Sequence, residues 1–152
     1  MPRIFEHIDD LAGHVGHELA ISDWLLITQE RIQTFADATD DQQWIHVDSE
    51  RARRESPWQR TVAHGFLTLG LLAPLFASAL SVGHTRTSLN YGLNRARFPA
   101  AVLSGDRVRG RFTLAAYQAL DPGAQLTWNV VIERDSGSKP ALVAEWLMRR
   151  IP

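Results

Sequence analysis

Apolar and polar positions alternate with a two-residue period through much of the second half of the chain. Val108, Gly110, Phe112, Leu114 and Ala116 share one face and are opposed by Arg107, Arg109, Arg111 and Thr113. Leu126, Trp128, Val130 and Ile132 make a second apolar face, and Leu142, Ala144, Trp146 and Met148 a third. Successive side chains of a strand point to opposite sides, so each run predicts a strand with one buried face. Turn residues punctuate them at Pro99, Ser104-Gly105-Asp106, Asp121-Pro122-Gly123 and Asp135-Ser136-Gly137. A weaker strand, Thr87 to Leu93, precedes these three.

The first half reads differently. Glu18 to Ile27 is rich in branched and aromatic residues and predicts a strand. Thr28 is placed to cap a short helix whose Ile32, Phe35 and Ala36 line one face. From Ala38 to Trp58 the periodicity breaks into a long surface excursion, with Asp48-Ser49-Glu50 placed to open a short charged helix. Phe66 to Gly83 then runs 18 residues without a charge. That length is the lower limit for crossing a bilayer. Its Gly70, Pro74, Thr68, Ser78 and Ser81, and the one-sided strands that follow, instead predict a helix buried on all sides within a domain. The expected fold class is α+β: a single domain over residues 1–152, with an antiparallel sheet wrapped around one long buried helix.

Composition changes this picture little. The chain is 45% hydrophobic and 22% charged with a formal net charge of −1, a balance that calls for no nucleic-acid partner. Without cysteine, disulfides, thiolate metal sites and cysteine nucleophiles are excluded. The N-terminal Met1-Pro2-Arg3-Ile4-Phe5-Glu6-His7 has no apolar core, so no signal peptide and a cytoplasmic location are expected.

Two short constellations carry candidate chemistry. In Asp41-Gln42-Gln43-Trp44-Ile45-His46 a carboxylate and an imidazole stand five residues apart, in a loop that can bring their tips together while Trp44 and Ile45 pack inward. Taken alone, the spacing describes a turn-capping aspartate and a hydrogen-bonded histidine more readily than a catalytic pair. The second is Ala63-His64-Gly65-Phe66 at the start of the apolar helix, where free backbone N–H groups and a glycine suit a developing oxyanion. The plainer reading is a glycine that relieves crowding between helix and sheet.

In this order and at this distance the two constellations resemble the MaoC-like (R)-specific enoyl-CoA hydratases of the hotdog fold. Asp40-Asp41-Gln42-Gln43-Trp44-Ile45-His46 aligns without a gap to the family signature, and Ala63-His64-Gly65 to its helix start. Asp40 stands where the family has glycine, Gln43-Trp44 where it has Asn-Pro, and Ala73 near a serine that some members carry. The Asp-x-Gln-Trp-Ile-His form looks like a NodN-like subgroup.

The resemblance implies hydration of trans-2-enoyl thioesters. Asp41 and His46 would handle water and protons, and the Gly65 N–H would be the oxyanion donor. It places Gln43, Trp44, His64, Asn94, Arg95 and Arg97 near the substrate, with the arginines toward a phosphate and Asn94 toward pantetheine amides. The alternative for Asn90 to Phe98 is an edge strand blunted by charge. Arg107, Arg109 and Arg111 read as a solvated sheet face. The expected partners are an acyl-CoA or acyl-carrier-protein thioester and a second copy of the chain, with no membrane. Neither cofactor nor metal is expected, since His7, His14, His17, His46, His64 and His84 form no familiar zinc pattern. Acyl-thioester hydrolysis and non-catalytic acyl-thioester binding are the alternative activities.

Overall fold

The computed structural model describes residues 1–152. Its main sheet is six-stranded and wholly antiparallel. Strand β2 (Glu18–Ile21) pairs with β6 (Arg107–Ala119), followed in order by β7 (Ala124–Arg134), β8 (Gly137–Ile151) and the edge strand β5 (Thr87–Arg97). The short β3 (Leu25–Leu26) also pairs with β6. A separate parallel pair joins β1 (Arg3–Phe5) to β4 (Leu80–Val82). Between β3 and β4 lie the helices α1 (Gln29–Thr39), α2 (Trp44–Val47), α3 (Ser49–Glu55), α4 (Gly65–Gly70) and α5 (Leu72–Ala79).

The three alternating runs are strands, and their apolar faces form the core. Trp128 and Trp146 stand opposite each other across β7 and β8, both buried. Phe76 of α5 meets Phe112, Trp128 and Trp146 edge-on, with ring centroids 5.2, 5.1 and 5.7 Å away. One helical side chain thus touches three strands. Each such aromatic pair contributes about 0.5–1.5 kcal/mol beyond area burial.

Five expectations need correction. The apolar helix is two segments, broken at Leu71. Pro74 has no N–H to give the Gly70 carbonyl and its ring crowds that carbonyl, which accounts for the break. The helix ends at Ala79, where the chain becomes β4. It is also covered on one side only: Phe66 is 71% exposed, and Gly70, Ala73 and Ala77 are exposed as well. The Glu18 to Ile27 strand is interrupted, because Ser22 turns its hydroxyl to accept from the Gly110 N–H at 2.8 Å. Finally, a bulge between Leu114 and Ala116 moves Ala116 outward and brings Tyr117 against the core. Tyr117 donates to Asp9 at 2.7 Å, and burial together with that bond pushes its phenol up to about 12.

The outer face carries the arginine stripe, as a solvated, charge-paired surface. Arg109 pairs with Glu133 at 2.6 Å, and Arg111 with Glu18 at 2.9 Å and Glu133 at 3.3 Å. No helix is long and apolar enough to cross a membrane.

Candidate active site

The loop that carries the first constellation is set by the end of α1. Thr28 caps that helix, its hydroxyl accepting from the Arg31 N–H at 3.1 Å. The helix terminates at Asp40, whose φ of 60° lies in the left-handed region. Helices commonly end on such a residue, usually glycine, and aspartate tolerates the conformation better than most. Asp40 therefore fills the family's glycine position with the backbone shape that a glycine there would supply. Gln42 donates to Asp37 at 2.8 Å, as does Gln33 at 2.9 Å, tying the loop back onto α1. These two bonds hold the Asp37 carboxyl below the ordinary carboxylate value.

His46 lies on the one-turn helix α2, and it is 7% exposed. Its backbone and ring are both anchored. Gln29 donates to the His46 carbonyl at 2.7 Å, and Val62 N–H donates to the Ile45 carbonyl at 3.0 Å. The ring Nδ1 is 2.6 Å from the Val62 carbonyl. A carbonyl only accepts, so Nδ1 carries the proton and the neutral ring keeps its lone pair on Nε2. Burial lowers the His46 pKa below its ordinary value, with the neighbouring His64 ring adding to the effect, while the bond to Val62 and the charge of Asp41 act the other way.

His64 caps α4 and is 3% exposed. Its ring stacks on His46, with centroids 3.7 Å apart and planes 20° apart, and leans on Phe35 at 4.8 Å. Its Nε2 is 3.0 Å from the backbone carbonyl of Asp41, and its Nδ1 is buried without a partner. Donor atoms of Asp41, His46 and His64 lie within 4.8 Å of one another. Stacked rings hold their in-plane lone pairs in nearly parallel planes, however, so one ion at about 2.0–2.1 Å cannot lie in both.

Beside this pair opens a cavity of about 580 Å³, walled by Ile45, His46, Trp58, Gly65, Thr68, Phe98 and Arg134 among others. His46 and Gly65 both line it. Thr68, one helical turn beyond Gly65, faces the same space. The Phe98 ring covers Gly65 so closely that a Cβ there would sit 3.1 Å from it.

The remaining predicted residues are placed elsewhere. Asp41 is exposed at the rim of the pair. His64 lies behind His46 and not on the cavity wall. Gln43 is exposed at the start of α2. Trp44 is half-buried beneath the Arg51 guanidinium, 4.2 Å from its ring, so it does not pack inward as expected. Asn94, Arg95 and Arg97 lie on the exposed β5. Asn94 donates to Glu145 at 3.0 Å and Arg97 to the Ala96 carbonyl at 2.8 Å, and none of the three lines this cavity. Sequence reading missed Trp58, Thr68, Phe98 and Arg134. Only Thr68 left a signal, its i+3 spacing from Gly65 on a helix.

A single antiparallel sheet over a broken central helix, with an Asp/His pair beside the helix start, defines the class. The MaoC like domain model matches residues 10–133, and the chain belongs to that family. It is 45% identical over 150 residues to 3-hydroxyacyl-thioester dehydratase Z of Mycobacterium tuberculosis, covering 98% of this chain and 99% of the relative. It is 44% identical over 142 residues to nodulation protein N of Rhizobium leguminosarum bv. viciae, covering 91% of this chain and 87% of that one. Among solved structures, the MaoC-like dehydratase from Rhodospirillum rubrum superposes with a TM-score of 0.74 at 23% identity, over 97% of this chain and 99% of that one. The (R)-hydratase from A. caviae involved in PHA biosynthesis gives 0.67 at 23% identity, over 90% and 98%. The fold is the hotdog fold.

Proposed function

We propose that the protein is a hydro-lyase that adds water across the double bond of a trans-2-enoyl thioester, giving the (R)-3-hydroxyacyl thioester, and that it catalyses the reverse dehydration. The observation that carries this reading is the free Nε2 of His46 on the wall of a cavity that also holds Gly65. A water bound between the Asp41 carboxylate and His46 Nε2 is oriented by the first and deprotonated by the second. Its oxygen bonds to C3, and the proton taken up is returned to C2. Between these events negative charge rests on the thioester oxygen, where the Gly65 N–H donates to it. The first turn of a helix leaves that N–H without an intrahelical acceptor. The chemistry requires neither metal nor cofactor.

The thioester is carried on coenzyme A or on an acyl carrier protein. Phe98 walls the cavity and directly follows the Asn94-Arg95-Ala96-Arg97 stretch, so these polar groups lie along one approach to it. In this reading Asn94 meets pantetheine amides and Arg95 or Arg97 a phosphate, while Gln43 and Trp44 border the loop side. The protein acts as a cytoplasmic homodimer.

The test follows loss of enoyl-thioester absorbance with crotonyl-CoA and longer substrates. Wild-type turnover should fall about 10²–10⁴-fold in Asp41→Asn and in His46→Gln. Because the chain has no cysteine, a thiol reagent in the same cuvette reports only released coenzyme A. Release of free thiol without formation of hydroxyacyl thioester would replace this reading by hydrolysis.

A further inference from the structure

We propose that His64 is the positioning residue of the acid–base pair, fixing Asp41 and His46 relative to each other from behind the cavity. The inference rests on the hydratase reading for its kinetic consequence, but the geometry stands apart from it. Asp41 and His46 belong to different elements: one lies in the exposed loop after α1, the other is the buried residue of α2. A single ring touches both. Its Nε2–H donates to the Asp41 carbonyl at 3.0 Å, and its face lies 3.7 Å from the His46 ring.

Packing alone does not require a histidine here. Phe35 already meets the ring at 4.8 Å, and a phenyl group would serve that contact without leaving a buried Nδ1 unpaired. A buried nitrogen lone pair without a donor carries a desolvation cost. What the imidazole adds is the N–H toward Asp41. It also adds an electrostatic constraint. Protonated His46 and protonated His64 would stack like charges, so His64 disfavours a proton on His46. The groups facing His46 are Asp41 from the loop, His64 from the start of α4, the neutral Gln29 from α1, and Arg134 of β7 on the shared cavity.

Two polar variants of similar size separate this role from a structural one. In His64→Gln the amide nitrogen reaches the place of Nε2 and keeps the bond to Asp41. In His64→Asn it falls near Nδ1 and loses that bond. With an enoyl thioester, His64→Asn should lower kcat about 10²-fold with little change in KM, because a small misplacement of reacting groups costs that much. His64→Gln should recover most of the loss. Without any substrate, NMR titration of the His46 ring should show its midpoint moving upward in both variants. Equal kcat in the two variants, a rise in KM alone, or an unmoved His46 titration would overturn the proposal. If the wild-type protein hydrates nothing, the NMR titration still decides the coupling, so the two failures are distinct.

Discussion

At the residue scale, the proposed chemistry turns on His46, whose ring is held by its surroundings. The Val62 carbonyl fixes the proton on Nδ1, and burial keeps the ring from gaining a second one. Because the folded-state pKa is lowered from 6.5, the unfolded chain binds a proton more readily than the folded one as pH falls. His46 thus contributes stability that is fully present above the unfolded value and is lost as pH falls through the folded one. Activity should follow the same direction. The acid limb of kcat/KM is expected below 6.5, with a plateau through neutrality, and urea melts should lose stability over the same interval. A limb centred above the ordinary histidine value would contradict this account of the base. Asp40 makes a complementary point. Its left-handed backbone explains how a chain without the family's glycine still delivers Asp41 to the pair.

At the element scale, the close approach of α5 to β6 depends on Gly110. A Cβ there would lie 2.7 Å from the tip of the Phe112 ring and 3.5 Å from Leu75. Phe112 is fully buried against Phe76, so the ring has little room to give. Gly110→Ala is expected to destabilise the protein by about 1–3 kcal/mol through overpacking, read as a shift in the urea midpoint without a change in slope.

The same elements show what the sequence discloses. β6, β7 and β8 were legible because each buries one face, which leaves a period-two signature in the residues themselves. The helix break was visible only as Pro74, since apolar residues on both sides of it masked the change of direction. The bulge at Leu114 and Ala116 left no mark, because alanine is at home on either face of a strand. In the candidate site, Asp41 with His46, and Gly65, were readable from two short local motifs. Trp58, Phe98 and Arg134 were not, because they reach the cavity from segments far apart in the chain, and such meetings are written in topology. His64 was read as a substrate contact. Its stacking behind His46 depends on the path of residues 61–64, which no local pattern encodes.

At the scale of the whole molecule, the sheet ends in an exposed strand. β5 exposes Leu89, Tyr91 and Leu93, which are 44%, 54% and 39% accessible, and Leu93 lines a pocket together with Phe66, itself 71% accessible. An apolar, unpaired edge of this kind is a template for another strand. The homodimer proposed above fits it, with β5 of one copy against that of the other. Leu93→Lys should halve the mass measured by light scattering in solution. A variant that keeps the wild-type mass would move the interface elsewhere.

The anchoring of α2 has a consequence for how the protein fails when heated. Its strand of contacts runs from Gln29 through the His46 carbonyl and from Ile45 to Val62, and Ala63 N–H continues it to the Val102 carbonyl at 2.8 Å. Catalytic loops are often drawn from the parts of a protein that open on their own. Here the proposed base cannot leave its place without breaking its ties to Gln29 of α1 and to Val62 together. Heat inactivation should therefore superpose on the circular-dichroism melt, and the amide of Val62 should exchange with solvent as slowly as those of the central strands. The chemistry would be lost in one step with the fold, with no dormant, folded state between.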